Sequence, residues 1–271
     1  MEYTISDRDF DLYAKLVYDK TGINLMNKKQ LLQSRINKIL RIRNLDSYRA
    51  YYEIIKNDNS GQELEDFINL ISTNVTHFFR EEKHFSFLQN QWKDSFDFRY
   101  NNHVRIWCAA SSTGEEPYSL AITMTEIIGD KFDFEIFCSD IDTKCLARVA
   151  KGIYAFDAVA QIDKDLLNKY FQVGKGKAVG YVKVKDSLKK HLKIERVNLI
   201  EPFRLSHKFD IIFCRNVMIY FDIPTKQNII DKFYEVMNPG AFLMIGHSES
   251  LNGINHPMKY IQPAVYKKEA H

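Results

Sequence analysis

A chain of 271 residues that is 45% hydrophobic can form one large domain or two modest ones and bury a sizeable core. Its formal net charge of +3 gives no global field that would select a polyanion, so nucleic acid is not expected and electrostatic recognition must come from local clusters. The opening M-E-Y-T-I-S-D-R-D-F-D carries acids where a leader would carry lysines, and no apolar run approaches the ~18 residues of a membrane span, so a cytoplasmic protein without membrane insertion is expected.

In chain order, helical periodicity comes first. Phe10, Tyr13, Ala14, Leu16 and Val17 recur at helical spacing, and Gly22 closes that pattern. A second helix is expected from about Lys28 to Arg43, with Leu32, Ile36, Ile39 and Leu40 as its apolar stripe. A third runs from about Ser47 to Lys56 and a fourth from Gln62 to Ser72, separated by the turn cluster N-D-N-S-G at 57–61. This part reads as a small helical bundle.

After Asn101 the pattern changes. Apolar runs at Val104–Ala109, Phe134–Ser139, Ile194–Asn198, Phe209–Cys214 and Ala241–Ile245 alternate with candidate helices at Pro117–Ile128, Lys144–Ala150 and Thr225–Met237. Such alternation predicts an α/β fold, a mostly parallel sheet with helices on both faces. A last run near Ala264–Lys267 is expected at the sheet edge. One stretch departs from the alternation: F-Q-V-G-K-G-K-A-V-G-Y-V-K-V at 171–184 reads as a hairpin, hence a small antiparallel insertion. Cys108, Cys138 and Cys214 fall in strand-like runs and none of the four cysteines forms C-x-x-C, so buried free thiols are expected. His77 and His84 would share a helix face, but no Cys or acidic ligand pattern accompanies them and no metal site is expected.

Ligands of open α/β sheets sit beyond the carboxyl ends of the strands. The first run ends in A-S-S-T-G-E-E at 110–116, the second in Asp140 and Asp142, the third in Asn198, and the fourth in Arg215 and Asn216. A single glycine, Gly114, stands where G-x-G-x-x-G has three, and Glu115 and Glu116 follow it, so a pyrophosphate is unwelcome. Ser112 or Thr113 is placed to cap the next helix, Pro117 suits its first turn, and its positive end favours a ligand carboxylate. Glu116 suits an ammonium, and an acid after the second strand can accept both hydroxyls of a ribose. S-adenosylmethionine combines a ribose, an ammonium, a carboxylate and a sulfonium, and this set points to it. The plainer readings are that Glu115 only serves the helix start and that Asp140 and Asp142 only cap the helix after them.

The same blocks resemble the CheR-type chemotaxis receptor methyltransferases over almost the whole chain. They are T-N-V-T-H-F-F-R-E at 73–81, A-A-S-S-T-G-E-E-P-Y-S at 109–119, S-D-I-D-T at 139–143, V-N-L at 197–199 and F-C-R-N-V-M-I-Y-F at 213–221. The resemblance implies a helical N-terminal domain (1–72), a linker (73–98) and a Rossmann-like methyltransferase domain (99–271) with a β insertion at about 171–192. It implies methyl transfer from S-adenosylmethionine to a glutamate side chain of a chemoreceptor, giving a γ-methyl ester and S-adenosylhomocysteine. The cofactor set carries over as Asn74, Thr76, Arg80, Glu116, Asp142, Asn198, Leu199, Arg215 and Asn216. Asp142 is then expected on the ribose and Glu116 at the methionine end. Arg80 and Tyr220 carry over as catalytic residues. A glutamate is already ionised near pH 7, so no general base is required. Charge disappears in displacement at a sulfonium, so alignment and desolvation are expected to carry the rate.

For the substrate, Arg35, Lys38 and Arg41 sit at spacing three near one helix face. The plain reading is a solvated face; in the family, Arg35 and Arg41 match positions that read the acidic helices around the methylation sites of the receptor's cytoplasmic domain. Some members add a receptor's C-terminal pentapeptide as a strand to the insertion. Gly174, Gly176 and Lys183 stand in place of their contacts, with lysine where an arginine would grip a carboxylate in two-pronged fashion. A monomer is expected. The alternatives are a non-catalytic S-adenosylmethionine sensor or adaptor, and a nucleic-acid methyltransferase; intact Arg80 and Tyr220 favour the enzyme over the sensor.

Overall fold

The computed structural model describes residues 3–26, 28–94, 103–129, 133–203, 205 and 207–269. The expected domain start at residue 99, and the last four residues of the expected linker, lie outside the described residues.

The first helix, α1 (Asp7–Thr21), starts where the Ser6 side chain accepts from the Asp9 N–H and ends at Gly22, whose φ of 71° is the left-handed conformation that favours glycine. Then come α2 (Lys29–Arg43), α3 (Tyr48–Asn57), capped by Ser47, and α4 (Gln62–Ile71). Their apolar stripes meet in one core that includes Tyr13, Val17, Leu32, Ile36, Leu40, Tyr51 and Phe67. The buried Tyr13 hydroxyl donates to the Tyr48 carbonyl at 2.8 Å, which satisfies the one polar atom this ring takes inside. A fifth helix, α5 (Lys83–Asp94), occupies much of the expected linker. Phe85, Phe87 and Leu88 leave the helical bundle and join the core of the following domain. His77 precedes this helix and belongs to no helix, so the shared face expected for His77 and His84 does not exist.

The second domain runs β1 (His103–Ala109), α6 (Glu115–Ile128), β2 (Asp133–Asp140), α7 (Thr143–Lys151), β3 (Ile153–Ala155), α8 (Lys164–Tyr170), β4 (Phe171–Val173), β5 (Tyr181–Val184), α9 (Asp186–Lys189), β6 (Leu192–Arg196), β7 (Phe209–Cys214), α10 (Ile223–Val236), β8 (Met237–Ile245), β9 (Lys259–Gln262) and β10 (Val265–Lys267). Seven strands form one sheet in the order β6-β2-β1-β7-β8-β10-β9. β6, β2, β1, β7 and β8 are parallel, and β10 and β9 close it antiparallel. All six residues of β7 are buried, as a strand covered on both faces requires. Alternation splits β1 between two cores: Ile106 and Cys108 face one layer, Trp107 and Ala109 the other. All four cysteines are free and buried.

Two expectations shift. The run at 264–267 is not the sheet edge, because Lys259–Gln262 folds back as β9 outside it; K-Y-I-Q is too short and polar to announce a strand. The hairpin at 171–184 is β4 and β5, but Ile153–Ala155 also pairs with β5, so the small antiparallel sheet has the order β3-β5-β4.

The helical bundle docks on the carboxyl edge of the large sheet along two seams. At one, Asn198 Nδ2 donates to the Lys20 carbonyl at 2.8 Å, Tyr18 donates to Asp222 at 2.7 Å, and the Asn24 N–H donates to the Tyr220 carbonyl at 2.9 Å. A Cβ on Gly22 would lie 2.6 Å from Ile200 Cγ2, so this approach requires glycine. At the other, Thr143 Oγ1 donates to Glu65 and Lys144 pairs with Asp66, joining α4 to α7.

Candidate active site

Between these seams lies a cavity of about 880 Å³, counting its open mouth. It sits where β1 is flanked by β2 on one side and β7 on the other, the switch point at which such sheets bind ligands. The strand register puts Ala109 beside Ser139 and Cys214, so the residues that follow these strands emerge side by side.

The β1 turn contributes Ala110, Ser111 and Ser112, with Ala110 and Ser112 at φ of 62° and 49°. The expected side-chain cap does not form: Gly114 is the N-cap of α6. The Thr113 hydroxyl instead donates to the Glu115 carboxylate at 2.6 Å and the Ser112 hydroxyl to the Asn74 carbonyl at 3.2 Å. Glu116, the second residue of α6, lines the cavity, is 3.3 Å from Arg215 Nη1 and accepts from Cys108 Sγ. Burial raises its pKa, and Arg215 opposes that rise.

Asn74, Thr76, Arg80, Glu116, Asn198, Leu199, Arg215, Asn216 and Tyr220 all line this cavity, which brings together residues spread over some 150 positions. Asp142 does not. Its Oδ1 accepts from the Lys144 and Cys145 N–H groups as the cap of α7, and its Oδ2 accepts from Asn74 Nδ2. Asp140, at the very end of β2, lines the cavity instead. Its carboxylate accepts from the Ser112 and Asp142 N–H groups at 2.8 and 2.9 Å, and burial pushes its pKa up to about 6. Of the two acids, Asp140 stands on the cavity wall, and Asp142 caps α7 and holds Asn74.

Other cavity residues carried no sequence signal. Thr21 and Ile23 come from the end of α1 and form part of the wall. No motif marks the residues after the fifth parallel strand, yet Gly246 and Glu249 brace the site from there. Glu249 accepts from the N–H groups of Asn216 and Gly246, and a Cβ on Gly246 would lie 2.6 Å from Asn216 Nδ2.

The residues expected to meet the receptor lie outside the cavity. Lys38 and Arg41 are exposed on α2. Arg35 is not a free surface charge: its guanidinium donates to the carbonyls of Ile71 and Ser72 and to Thr73 Oγ1, fastening α2 to the end of α4. Lys183 is exposed on β5. Gly174 is demanded by the turn itself, because a Cβ there would lie 2.0 Å from the Ala178 carbonyl oxygen, whereas Gly176 has open space and a φ of 56°.

The cavity suits S-adenosylmethionine on its own chemistry. Ser111 Oγ and the Nε and Nη1 of Arg215 are buried without hydrogen-bond partners, a costly arrangement unless a ligand supplies acceptors. A mostly parallel sheet with acids and an arginine at one carboxyl edge, roofed by a helical bundle, defines a nucleoside-cofactor methyltransferase.

Comparison with known proteins makes this specific. Residues 8–72 match the family model for the CheR methyltransferase all-alpha domain and residues 74–266 that for the CheR methyltransferase SAM binding domain. The chain is 37% identical to a chemotaxis protein methyltransferase of Borreliella burgdorferi, over 99% of this chain and 96% of that protein. It is 36% identical to one from Salmonella typhimurium (92% and 86% covered) and 34% to one from Escherichia coli (97% and 91%). The chain belongs to the CheR methyltransferase family, and S-adenosylmethionine is its cofactor. Among the described residues, no helix is long and apolar enough to cross a membrane.

Proposed function

We propose that this protein transfers a methyl group to glutamate side chains in the cytoplasmic domain of chemoreceptors, acting as a cytoplasmic protein-glutamate O-methyltransferase in chemotactic adaptation. The observation that carries the reading is the convergence of Arg80 and Tyr220 on the cavity that holds Glu116 and Arg215. The relatives' shared description as chemotaxis protein methyltransferases supports the choice of receptor.

S-adenosylmethionine supplies an electrophilic methyl on a sulfonium. Within the cavity, Arg215 and Glu116 form an adjacent cation and anion suited to an α-carboxylate and an α-ammonium. Asp140 takes the ribose role that the resemblance gave to Asp142, since its carboxylate is the one on the cavity wall. Asn198 and Leu199 close the side beyond β2. Arg80 is half-buried, and its Nη1 donates to the Val75 carbonyl at 2.9 Å. That bond fixes the guanidinium while leaving N–H groups to orient an incoming carboxylate. Tyr220 faces the same space and presents a ring and a hydroxyl along the approach. The nucleophile arrives ionised, so these residues position rather than deprotonate it.

Recognition of the receptor then divides between two surfaces. Lys38 and Arg41 offer exposed cations for an acidic helix. The small sheet offers the edges of β3 and β4 to an added strand, with Val173 and Tyr181 more than half exposed nearby and Lys183 on the central strand. A monomer suffices for both.

The test is to incubate the purified protein with methyl-labelled S-adenosylmethionine and receptor-containing membranes and to measure alkali-released methanol. Release by the wild type that disappears in Arg80→Ala supports the reading. Tight cofactor binding with no transfer to any receptor favours a sensor and sinks it.

A further inference from the structure

Glu81 has no part in the functions above, yet it contacts Arg215, Asn216 and His247 of the site's framework. It follows Arg80 with a φ of 57°, a left-handed conformation rare for a residue with a side chain. Its Oε1 accepts from Asn216 Nδ2 at 3.2 Å, and its Oε2 accepts from the His247 N–H at 3.1 Å and lies 3.3 Å from Arg215 Nη2. One carboxylate therefore ties the start of α5 to the ends of β7 and β8. Burial alone would push its pKa up, but Arg215, Asn216 and the His247 N–H outweigh this and hold it below the usual range.

Glu81, His84 and His247 also bring ligand-type atoms within 4.8 Å of one another, the arrangement of a cation site. The Arg215 guanidinium, 3.3 Å from the same carboxylate, argues against a metal ion there. His84 adds no positive charge: it is fully buried against Phe213 and His247, and burial lowers its pKa to about 3. The counter-charge for Glu81 is Arg215.

Arg215 is fully buried between two carboxylates, Glu81 and Glu116, each at 3.3 Å. Only Glu116 lines the cavity with it. The Arg215 Nη1 that meets Glu116 is at ion-pair distance but makes no hydrogen bond to it, while Nη2 is held by Glu81 and by the Arg80 carbonyl. We propose that Glu81 is a positioning residue for cofactor binding, which shares Arg215 with Glu116 and so keeps their pair loose enough for the two charged ends of the methionine moiety to engage both groups. The inference rests on the assignment of Arg215 and Glu116 to that moiety. Without the rear carboxylate, Arg215 has one anion left and tightens its pair with Glu116 into hydrogen bonds, which the cofactor must then break.

The experiment is calorimetric binding of S-adenosylhomocysteine, with steady-state kinetics and thermal melting, on Glu81→Gln, Glu81→Asp and Arg215→Met. Glutamine keeps acceptor and size but loses charge. The proposal expects Glu81→Gln to weaken binding by about tenfold or more, with KM for S-adenosylmethionine rising in step and kcat at saturation within about threefold. Glu81→Asp, which keeps the charge, lies between. A Glu81→Gln protein that melts cooperatively and binds like wild type, while Arg215→Met binds poorly, overturns the proposal and leaves the assignment of the cavity intact. Wild-type binding by Arg215→Met overturns that assignment and the proposal with it. Should the glutamine variant not fold, Glu81→Asp decides: unchanged binding overturns the proposal and weakened binding with unchanged kcat supports it.

Discussion

Asn74 Nδ2 donates to Asp142 Oδ2 at 2.7 Å, so two residues both expected on the cofactor are bonded to each other, one on the cavity wall and one behind it. The bond joins the segment after α4 to the first turn of α7 and lets the Asn74 carbonyl receive the Ser112 hydroxyl. Asp142→Ala removes this bond and the helix cap together and should cost about 2–3 kcal/mol of folding stability in urea titration. Its effect on cofactor affinity, at a temperature where both variants are folded, should be smaller than that of Asp140→Ala.

Asp140 predicts a pH dependence. Its carboxyl titrates at about 6 in the free protein, and ribose hydroxyls donate to the ionised form. Affinity for S-adenosylhomocysteine should therefore be flat above pH 7 and fall as pH drops through 6, reaching about a tenfold loss one unit below. Titration calorimetry across pH 5–8 measures this, and Asp140→Asn should bind more weakly but without that inflection.

Arg35, Lys38 and Arg41, the basic residues of α2 expected to meet the receptor, should separate. Arg35→Ala loses charge-assisted bonds to Ile71 and Ser72 and should destabilise the fold by about 1.5–3 kcal/mol. Lys38→Ala and Arg41→Ala should change stability by no more than about 0.5 kcal/mol while lowering the rate of receptor methylation. Urea midpoints beside initial rates make the comparison.

The Lys28 ammonium lies 4.0 Å from the centre of the ring of Tyr220, a cavity residue. Burial and the nearby Arg35 lower its pKa, and among the described residues its side chain has no carboxylate partner. Lys28→Met should leave cofactor affinity unchanged and raise KM for the receptor several-fold, by roughly 3–10 times, with the difference shrinking as salt is added. Unchanged KM at low salt would remove Lys28 from the substrate's path.

The sequence revealed most of the site because the polar residues follow apolar strands, and parallel strands in register deliver their successors to one edge. Arg215, Asn216, Glu116 and Asn198 were legible this way. The choice between Asp140 and Asp142 was not, because the two stand two residues apart at the end of β2, and only the direction of the chain leaving the strand decides which lines the cavity and which caps α7. Arg35 looked like a surface charge because periodicity places it on a polar face; the end of α4, to which it bonds, is distant in sequence. β3 and β9 are not legible because they are only three and four residues long: I-Y-A follows directly on a helical pattern, and K-Y-I-Q has just two apolar residues, both exposed. Glu81 lay inside a motif block, but its partners are 135 and 166 positions away.

The most direct test of the central claim is mass spectrometry of receptor peptides after incubation with this protein and S-adenosylmethionine. The account predicts a gain of one methyl on glutamate side chains, reversed by mild alkali and absent with Arg80→Ala. Methyl groups on lysine, on nucleic acid, or on no receptor residue at all would contradict it.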